Sequence, residues 1–202
     1  LNLAAFSTDY SYMQLDLSPD PAQIQVVNTY NAGSATVEGV EVDLMLQLTE
    51  NLRFSADYAY LNYEIDSVEN PVTGENVASE FSLPYAPENA YNLALNYTYP
   101  NFSFGTVDAF IEYSWQDESF TTAGTTSIPS VKQDWTRGDF GLLNARIALT
   151  LESLGIGEVQ LAIWGKNLQD EEYEAHRFTA GAGAAIAWAE PRTYGLDIIY
   201  EF

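Results

Sequence analysis

The 202 residues predict an all-β fold, an antiparallel transmembrane β-barrel or a part of one. Three observations carry that reading. Apolar and polar residues alternate with period two along most of the chain, the mark of a strand with two unlike faces. Short and long connections between those runs alternate in turn. The polar set is built from Asn, Thr, Ser, Gln and acid with almost no Lys.

The strands follow in order. Leu1 to about Asp16 opens as a strand whose faces the pattern leaves unassigned. Val40, Val42, Leu44, Leu46 and Leu48 then alternate with Glu41, Asp43, Met45 and Gln47. Leu52 to Tyr60 repeats this around Arg53, Ser55, Asp57 and Ala59, and Tyr91 to Tyr99 around Asn92, Ala94, Asn96 and Thr98. Val107 to Trp115, Leu143 to Leu151, Val159 to Ile163 and Leu196 to Phe202 complete a set of about eight. Each full run covers about 9 to 11 residues, the length a tilted strand needs to cross hydrocarbon. No segment has a helical period. The longest apolar run, Ala180 to Ala189, is rich in Gly and Ala and falls short of the roughly 18 residues of a membrane helix.

Short turns are expected at Thr49–Asn51, Tyr99–Phe102 and Leu154–Gly157. Long connections rich in Gly, Pro, Thr and acid run from Asp66 to Glu88, Phe120 to Asp139 and Asp170 to Glu190. All tight turns thus gather at one end of the strands and all long loops at the other, the habit of outer-membrane barrels. A soluble sandwich has no reason for it, and its solvated face would carry mixed charge with many Lys. The apolar face also ends in aromatic residues, at Tyr97 and Tyr99, Tyr113 and Trp115, Tyr200 and Phe202. Rings with one wet edge suit the membrane–water boundary.

Composition excludes several classes. With 29 acids against 7 cations the net charge is −22, and Arg53, Lys132, Arg137, Arg146, Lys166, Arg177 and Arg192 stand far apart, so no nucleic-acid partner is expected. The absence of Cys removes disulfide scaffolds, thiolate metal sites and cysteine nucleophiles. An aromatic content of 14% argues against an acidic disordered chain. The chain opens at Leu1-Asn2-Leu3 with neither an initiator Met nor a signal segment, and reads as a mature form or an excised piece.

Three stretches resemble the C-terminal barrel region of TonB-dependent outer-membrane receptors. Asn31-Ala32-Gly33 followed by Gly39-Val40-Glu41-Val42 looks like the family's "NAG…GvE" strand. Asn167-Leu168-Gln169-Asp170-Glu171-Glu172-Tyr173 is similar to its "NLxDxxY" motif, departing at Gln169, where an aromatic or aliphatic residue is usual. Pro191-Arg192-Thr193-Tyr194-Gly195-Leu196, running to Phe202, matches "PRxyGl…F", and Pro84 to Pro87 falls where the family often has a "P…aP" loop end. The resemblance implies a barrel of about 22 strands, filled by an N-terminal plug and importing a metal chelate (siderophore-like) or a similar large nutrient. Energy would come from TonB through an N-terminal part that these residues do not resemble. The whole of 1–202 would then be about eight strands of that barrel, located in the Gram-negative outer membrane and embedded in its lipid. Tyr200 and Phe202 would form the signal that the barrel-assembly machinery reads. The rival is a self-contained eight-stranded outer-membrane barrel with a structural or adhesive role, which closure rules permit.

Sharper-looking signals have duller explanations. His176, in Glu174-Ala175-His176-Arg177, is a single His and reads as a solvated loop residue before a metal ligand. Asp170-Glu171-Glu172 lacks the spaced acid pattern of a Ca²⁺ loop. Gly181-Ala182-Gly183 has no strand–helix context for a dinucleotide. Asp108 and Glu112, four apart on a strand, lie about 13 Å apart, too far for concerted work on one bond. No catalytic residues, resident metal or cofactor are therefore expected, and a barrel enzyme would need a nucleophile that nothing marks out. Substrate-binding candidates are loop residues suited to an aromatic or anionic chelate: Tyr85, Phe120, Trp135, Arg137, Phe178 and Trp188. The acids Asp43, Asp57, Asp108, Glu112, Asp197 and Glu201 share the polar face with Arg53 and Arg146, and are expected to line a hydrated lumen.

Overall fold

A computed structural model describes residues 1–17, 28–102, 105–121, 136–151, 157–180 and 183–201. In chain order its strands are β1 (Asn2–Leu17), β2 (Asn28–Thr49), β3 (Leu52–Val68), β4 (Asn89–Phe102), β5 (Gly105–Gln116), β6 (Ser119–Phe120), β7 (Thr136–Arg137), β8 (Phe140–Leu151), β9 (Glu158–Lys166), β10 (Glu174–Ala180), β11 (Gly183–Trp188) and β12 (Thr193–Glu201). Eight of them form one antiparallel sheet, in the order β1-β2-β3-β4-β5-β8-β9-β12. These are the eight strands that the alternation predicts. β6–β7 and β10–β11 are two-stranded ribbons built into long connections. The sheet is open: β1 and β12 are its edges and do not pair with each other. The closed eight-strand barrel is therefore not the form this chain takes.

Register explains the two faces, because residues directly opposite in a ladder point to the same side. One row runs Leu46, Phe54, Leu95, Ile111, Ala145, Gly165, Tyr194 across seven strands. The next row on the other face runs Gln47, Arg53, Asn96, Phe110, Arg146, Trp164, Gly195. A one-residue slip would exchange the faces on every strand, so burial of one face fixes the register. Leu95, Ile111, Ile147, Ile163 and Ile198 are all exposed on the apolar face. An exposed apolar band of that extent needs a nonaqueous surrounding.

Three boundaries differ from the sequence expectation. β4 continues through Phe102, whose ring meets Tyr99 edge-on at 5.0 Å, so Tyr99–Phe102, expected as a turn, belongs to the strand. β3 continues past Asp66 to Val68, whose amide donates to Asn76 Oδ1 at 3.0 Å. β2 begins twelve residues before Val40, at Asn28. A single 3-10 turn, Ala78–Glu80, interrupts the loop after β3. The turn at Thr49–Asn51 is as expected, tied by Thr49 Oγ1 accepting from Leu52 N at 3.1 Å. Most of the expected turn Leu154–Gly157 lies outside the described residues.

The early start of β2 hides a reversal of polarity. Below Val40 the even residues of β2 are apolar; above it they become Glu38, Thr36 and Ser34. Ser7 donates to Glu38 at 3.0 Å, and Thr36 lies 3.3 Å from both Asp9 and Asp66 on this side. The odd side turns apolar instead: Ala35, Val37 and Gly39 stand opposite Ile65, Tyr63 and Leu61 in turn. Ala35 is 1% exposed, and the Phe6 ring fills the space a Gly39 side chain would need. Here β1–β3 have left the apolar band and carry their small core on the opposite face.

Candidate functional site: an aromatic and cationic stack at the long-loop end

The long connections after β3, β5 and β9 build a common cluster at one end of the sheet. β5 leads into β6, which pairs with β7 so that Ser119 faces Arg137 and Phe120 faces Thr136. The loop after β3 joins this ribbon through Tyr85 N, which donates to Phe120 O at 2.7 Å. Tyr85 has φ 54°, a left-handed conformation uncommon for a non-glycine residue and held here by its neighbours. The connection between β9 and β12 delivers Tyr173 and His176.

These side chains form a ladder of rings with one cation inside it. Tyr173 stacks on Phe140 with centroids 4.0 Å apart and planes 12° from parallel. The Arg137 guanidinium lies 4.9 Å from the Phe140 ring and 5.3 Å from the Tyr85 ring. Tyr85 then meets the His176 imidazole edge-on at 6.0 Å, its hydroxyl 3.5 Å from Nδ1. Glu174 pairs with Arg177 beside the ladder.

Arg137 is underused as a donor. One terminal nitrogen reaches Ser119 Oγ at 3.4 Å, while its buried Nε has no hydrogen-bond partner. Burial lowers its pKa from the ordinary arginine value, and Tyr85, Tyr173 and Glu174 oppose that shift. A guanidinium stays charged through such a change. Cation–π contact with two rings supports it without using its N–H groups. What remains is a planar cation beside two rings, with donors to spare.

Of the residues singled out from the sequence, Tyr85, Arg137 and the backbone of Phe120 come together here. The Phe120 side chain is 43% exposed, and Trp188, at the end of β11 opposite Glu174, is 64% exposed. Phe178 pairs with Ala185 in the β10–β11 ladder. Its side chain, and Trp135 and Phe202 entirely, lie outside the described residues. Tyr200 lies opposite Val159 at the short-turn end of β12 and is 49% exposed. His176 is corrected: it is exposed, yet it is the outer rung of the ladder and not a plain solvated loop residue. Phe140 and Tyr173 are members that sequence reasoning missed. Among the described residues, no group of three or more His, Asp or Glu is placed to hold a metal ion.

Below the ladder the polar face is an acidic wall. Asp43 stands directly opposite Asp57, which stands opposite Asn92, beside a shallow cavity of about 490 Å³. Neutral donors serve several wall acids: Thr98 to Asp108 at 2.7 Å, Asn144 to Glu112 at 3.3 Å and Trp164 to Asp197 at 3.1 Å. Arg146 reaches Gln160 at 2.8 Å instead of an acid. The two ion pairs found among the described residues, Arg177–Glu174 and Arg192–Asp170, both lie in the loops.

Similarity to known proteins agrees with this architecture. The family described as TonB dependent receptor-like, beta-barrel matches residues 1–168. The ferric yersiniabactin uptake receptor FyuA from Yersinia pestis superposes with a TM-score of 0.71 at 18% identity, covering 99% of this chain and 27% of that one. BauA, the ferric preacinetobactin receptor from Acinetobacter baumannii, gives 0.69 at 17% identity, covering 99% and 27%. The ferric-catecholate import receptor Fiu from K12 E. coli gives 0.61 at 21% identity, covering 96% and 24%. The chain thus spans about a quarter of the length of these structures. With its open, two-faced antiparallel sheet, the chain belongs to the TonB-dependent receptor-like β-barrel family, whose barrels lie in the outer membrane of Gram-negative bacteria.

Proposed function

We propose that this chain is the loop-bearing part of a receptor that takes up a ferric chelate across the outer membrane, driven by TonB. The observation that carries this is Arg137, held between Tyr85 and Phe140 with N–H donors unused at the long-loop end. A chelate with anionic oxygens on aromatic rings matches that arrangement twice, through stacking and through charge-assisted hydrogen bonds. The similarity to receptors named for ferric yersiniabactin, ferric preacinetobactin and ferric catecholate supports an iron chelate as cargo. Contact with TonB belongs to parts of the receptor beyond these residues, and the last strand, with Tyr200 and Phe202, serves the barrel-assembly machinery. The open edges at β1 and β12 favour this reading over a self-contained barrel, because an unpaired strand edge in hydrocarbon costs several kcal/mol per backbone group.

The test is a titration of the full-length receptor in detergent, followed by intrinsic fluorescence, with ferric tricatecholate, ferric trihydroxamate and ferric citrate. Saturable quenching by the tricatecholate, weakened by Arg137→Ala, is the expected result. Equal weak quenching by all three, unchanged by Arg137→Ala, would reject the site.

A further inference from the structure

The long connection between β9 and β12 is closed at its base by one side chain. Asn167 is 5% exposed and sits at φ 49°. Its amide N–H donates to Asn144 Oδ1 on β8 at 3.0 Å, which ties it to the sheet. Its side-chain oxygen accepts from Glu171 N at 2.8 Å, and its Nδ2 donates to Glu171 O at 2.9 Å and to Glu190 O at 3.3 Å. Glu171 is where the connection leaves and Glu190 is where it returns. The Asn167 carboxamide therefore holds both strands of the loop, and its backbone N–H ties them to the sheet beneath.

A second layer repeats the closure. Asp170, at φ 59°, accepts from Arg192 N at 3.0 Å and faces the Arg192 guanidinium at 3.3 Å, while that guanidinium also reaches Leu168 O at 3.4 Å. Asn and Asp are the non-glycine residues that best tolerate the left-handed backbone both positions need. One step further, Ala189 N donates to Tyr173 O at 3.0 Å, and Tyr173 already belongs to the ring ladder.

We infer that Asn167 is a positioning residue for the ladder: it fixes Tyr173 against Phe140 and His176 against Tyr85 by locking the two ends of the β9–β12 connection to β8. Only five residues lie between Asn167 and Tyr173, so little slack exists between lock and site. The carboxamide is specific for this task, because it needs one acceptor and two donors in one plane. Aspartate offers no donor, and glycine keeps the backbone conformation but makes none of the side-chain bonds. The functional weight of the inference rests on the chelate reading, but the lock itself does not.

The experiment compares wild type, Asn167→Gly and Asn167→Asp in the full-length receptor. Hydrogen exchange is followed at residues 171–177 and 185–190, with residues 143–149 as the reference, alongside ferric tricatecholate binding to the heat-modifiable, folded fraction. Asn167→Gly should speed exchange in both loop segments at least tenfold, leave 143–149 unchanged and weaken binding at least tenfold. Asn167→Asp should follow it, despite its similar shape. A merely structural role would reduce the yield of folded barrel and leave the affinity of the folded fraction at the wild-type value, and that result would overturn the inference. So would unchanged exchange in 171–177. If wild type binds no chelate, the chelate reading fails, and the exchange data alone decide whether Asn167 holds the ladder.

Discussion

Trp164 and Asp197 face each other across β9 and β12 on the inner wall, the indole N–H donating to the carboxylate at 3.1 Å. The ring lies over Gly195, in the space where a side chain at that position would stand, and Lys166 Nζ sits 5.8 Å from the ring centroid. Gly195→Ala should push the indole off the wall and break its bond to Asp197. We expect a loss of about 1–3 kcal/mol, the usual range for overpacking, read from urea unfolding of the assembled receptor. Trp164→Phe, which removes the donor without crowding, should cost about 1 kcal/mol. Equal stability of all three proteins would show that the contact contributes nothing.

The two faces should respond oppositely to charge. Ile147→Arg or Ile198→Arg, on the lipid side, should destabilise by about 2–4 kcal/mol near the midplane. Asn96→Arg, on the inner wall, should cost far less, since water and carboxylates are at hand. Measuring all three in the same lipid unfolding assay removes host effects; equal penalties would mean that the faces have been exchanged.

Sidedness follows from the register. This chain contains no Cys, so single cysteines report cleanly within it. Labels applied to intact cells should reach Gly74→Cys and Ala187→Cys, in two long connections. They should reach Glu50→Cys, in the short turn after β2, only after the outer membrane is permeabilised. Labelling of Glu50→Cys in intact cells would invert the topology.

Replacing Arg137 with Lys keeps the charge but removes the plane. An ammonium cannot lie flat between Tyr85 and Phe140 or offer paired donors to a planar anion. Chelate affinity should fall about tenfold, close to 1.4 kcal/mol, with little change in stability. An affinity equal to wild type would mean that charge alone, and not the flat stack, matters.

The transmembrane part of this fold was legible in the sequence because lipid and water impose one rule on every strand. Leu93, Leu95 and Tyr97 must face one solvent and Asn92, Ala94 and Asn96 the other, so the pattern survives without tertiary information. That rule stops at Val40. Above it Thr36 and Glu38 meet water while Ala35 and Val37 pack, so the phase of β2 reverses and its upper half does not look like a continuation of the same strand. At the site, Tyr85 and Arg137 stood out as an aromatic and a cation in long loops. Phe140 and Tyr173 did not, because each also fits a blander role, as the start of a strand and the end of a motif. Asn167 stood out only as the first residue of a family motif, with no role attached; its role lies in bonds to backbone atoms 4 and 23 residues away, which the motif does not spell out.

The strands differ greatly in height. β2 has 22 residues and β9 has 9, so at roughly 3.4 Å per residue they run about 75 Å and 30 Å. Both reach the short-turn end, so the whole excess of β2 stands at the long-loop end. The mouth is therefore cut aslant, with a parapet over β1–β3 and a low sill over β9 and β12. The outward side of the parapet carries Asp9, Glu38, Glu64 and Asp66. An anionic solute drifting toward that flank is repelled within a Debye length of about 8 Å at physiological salt.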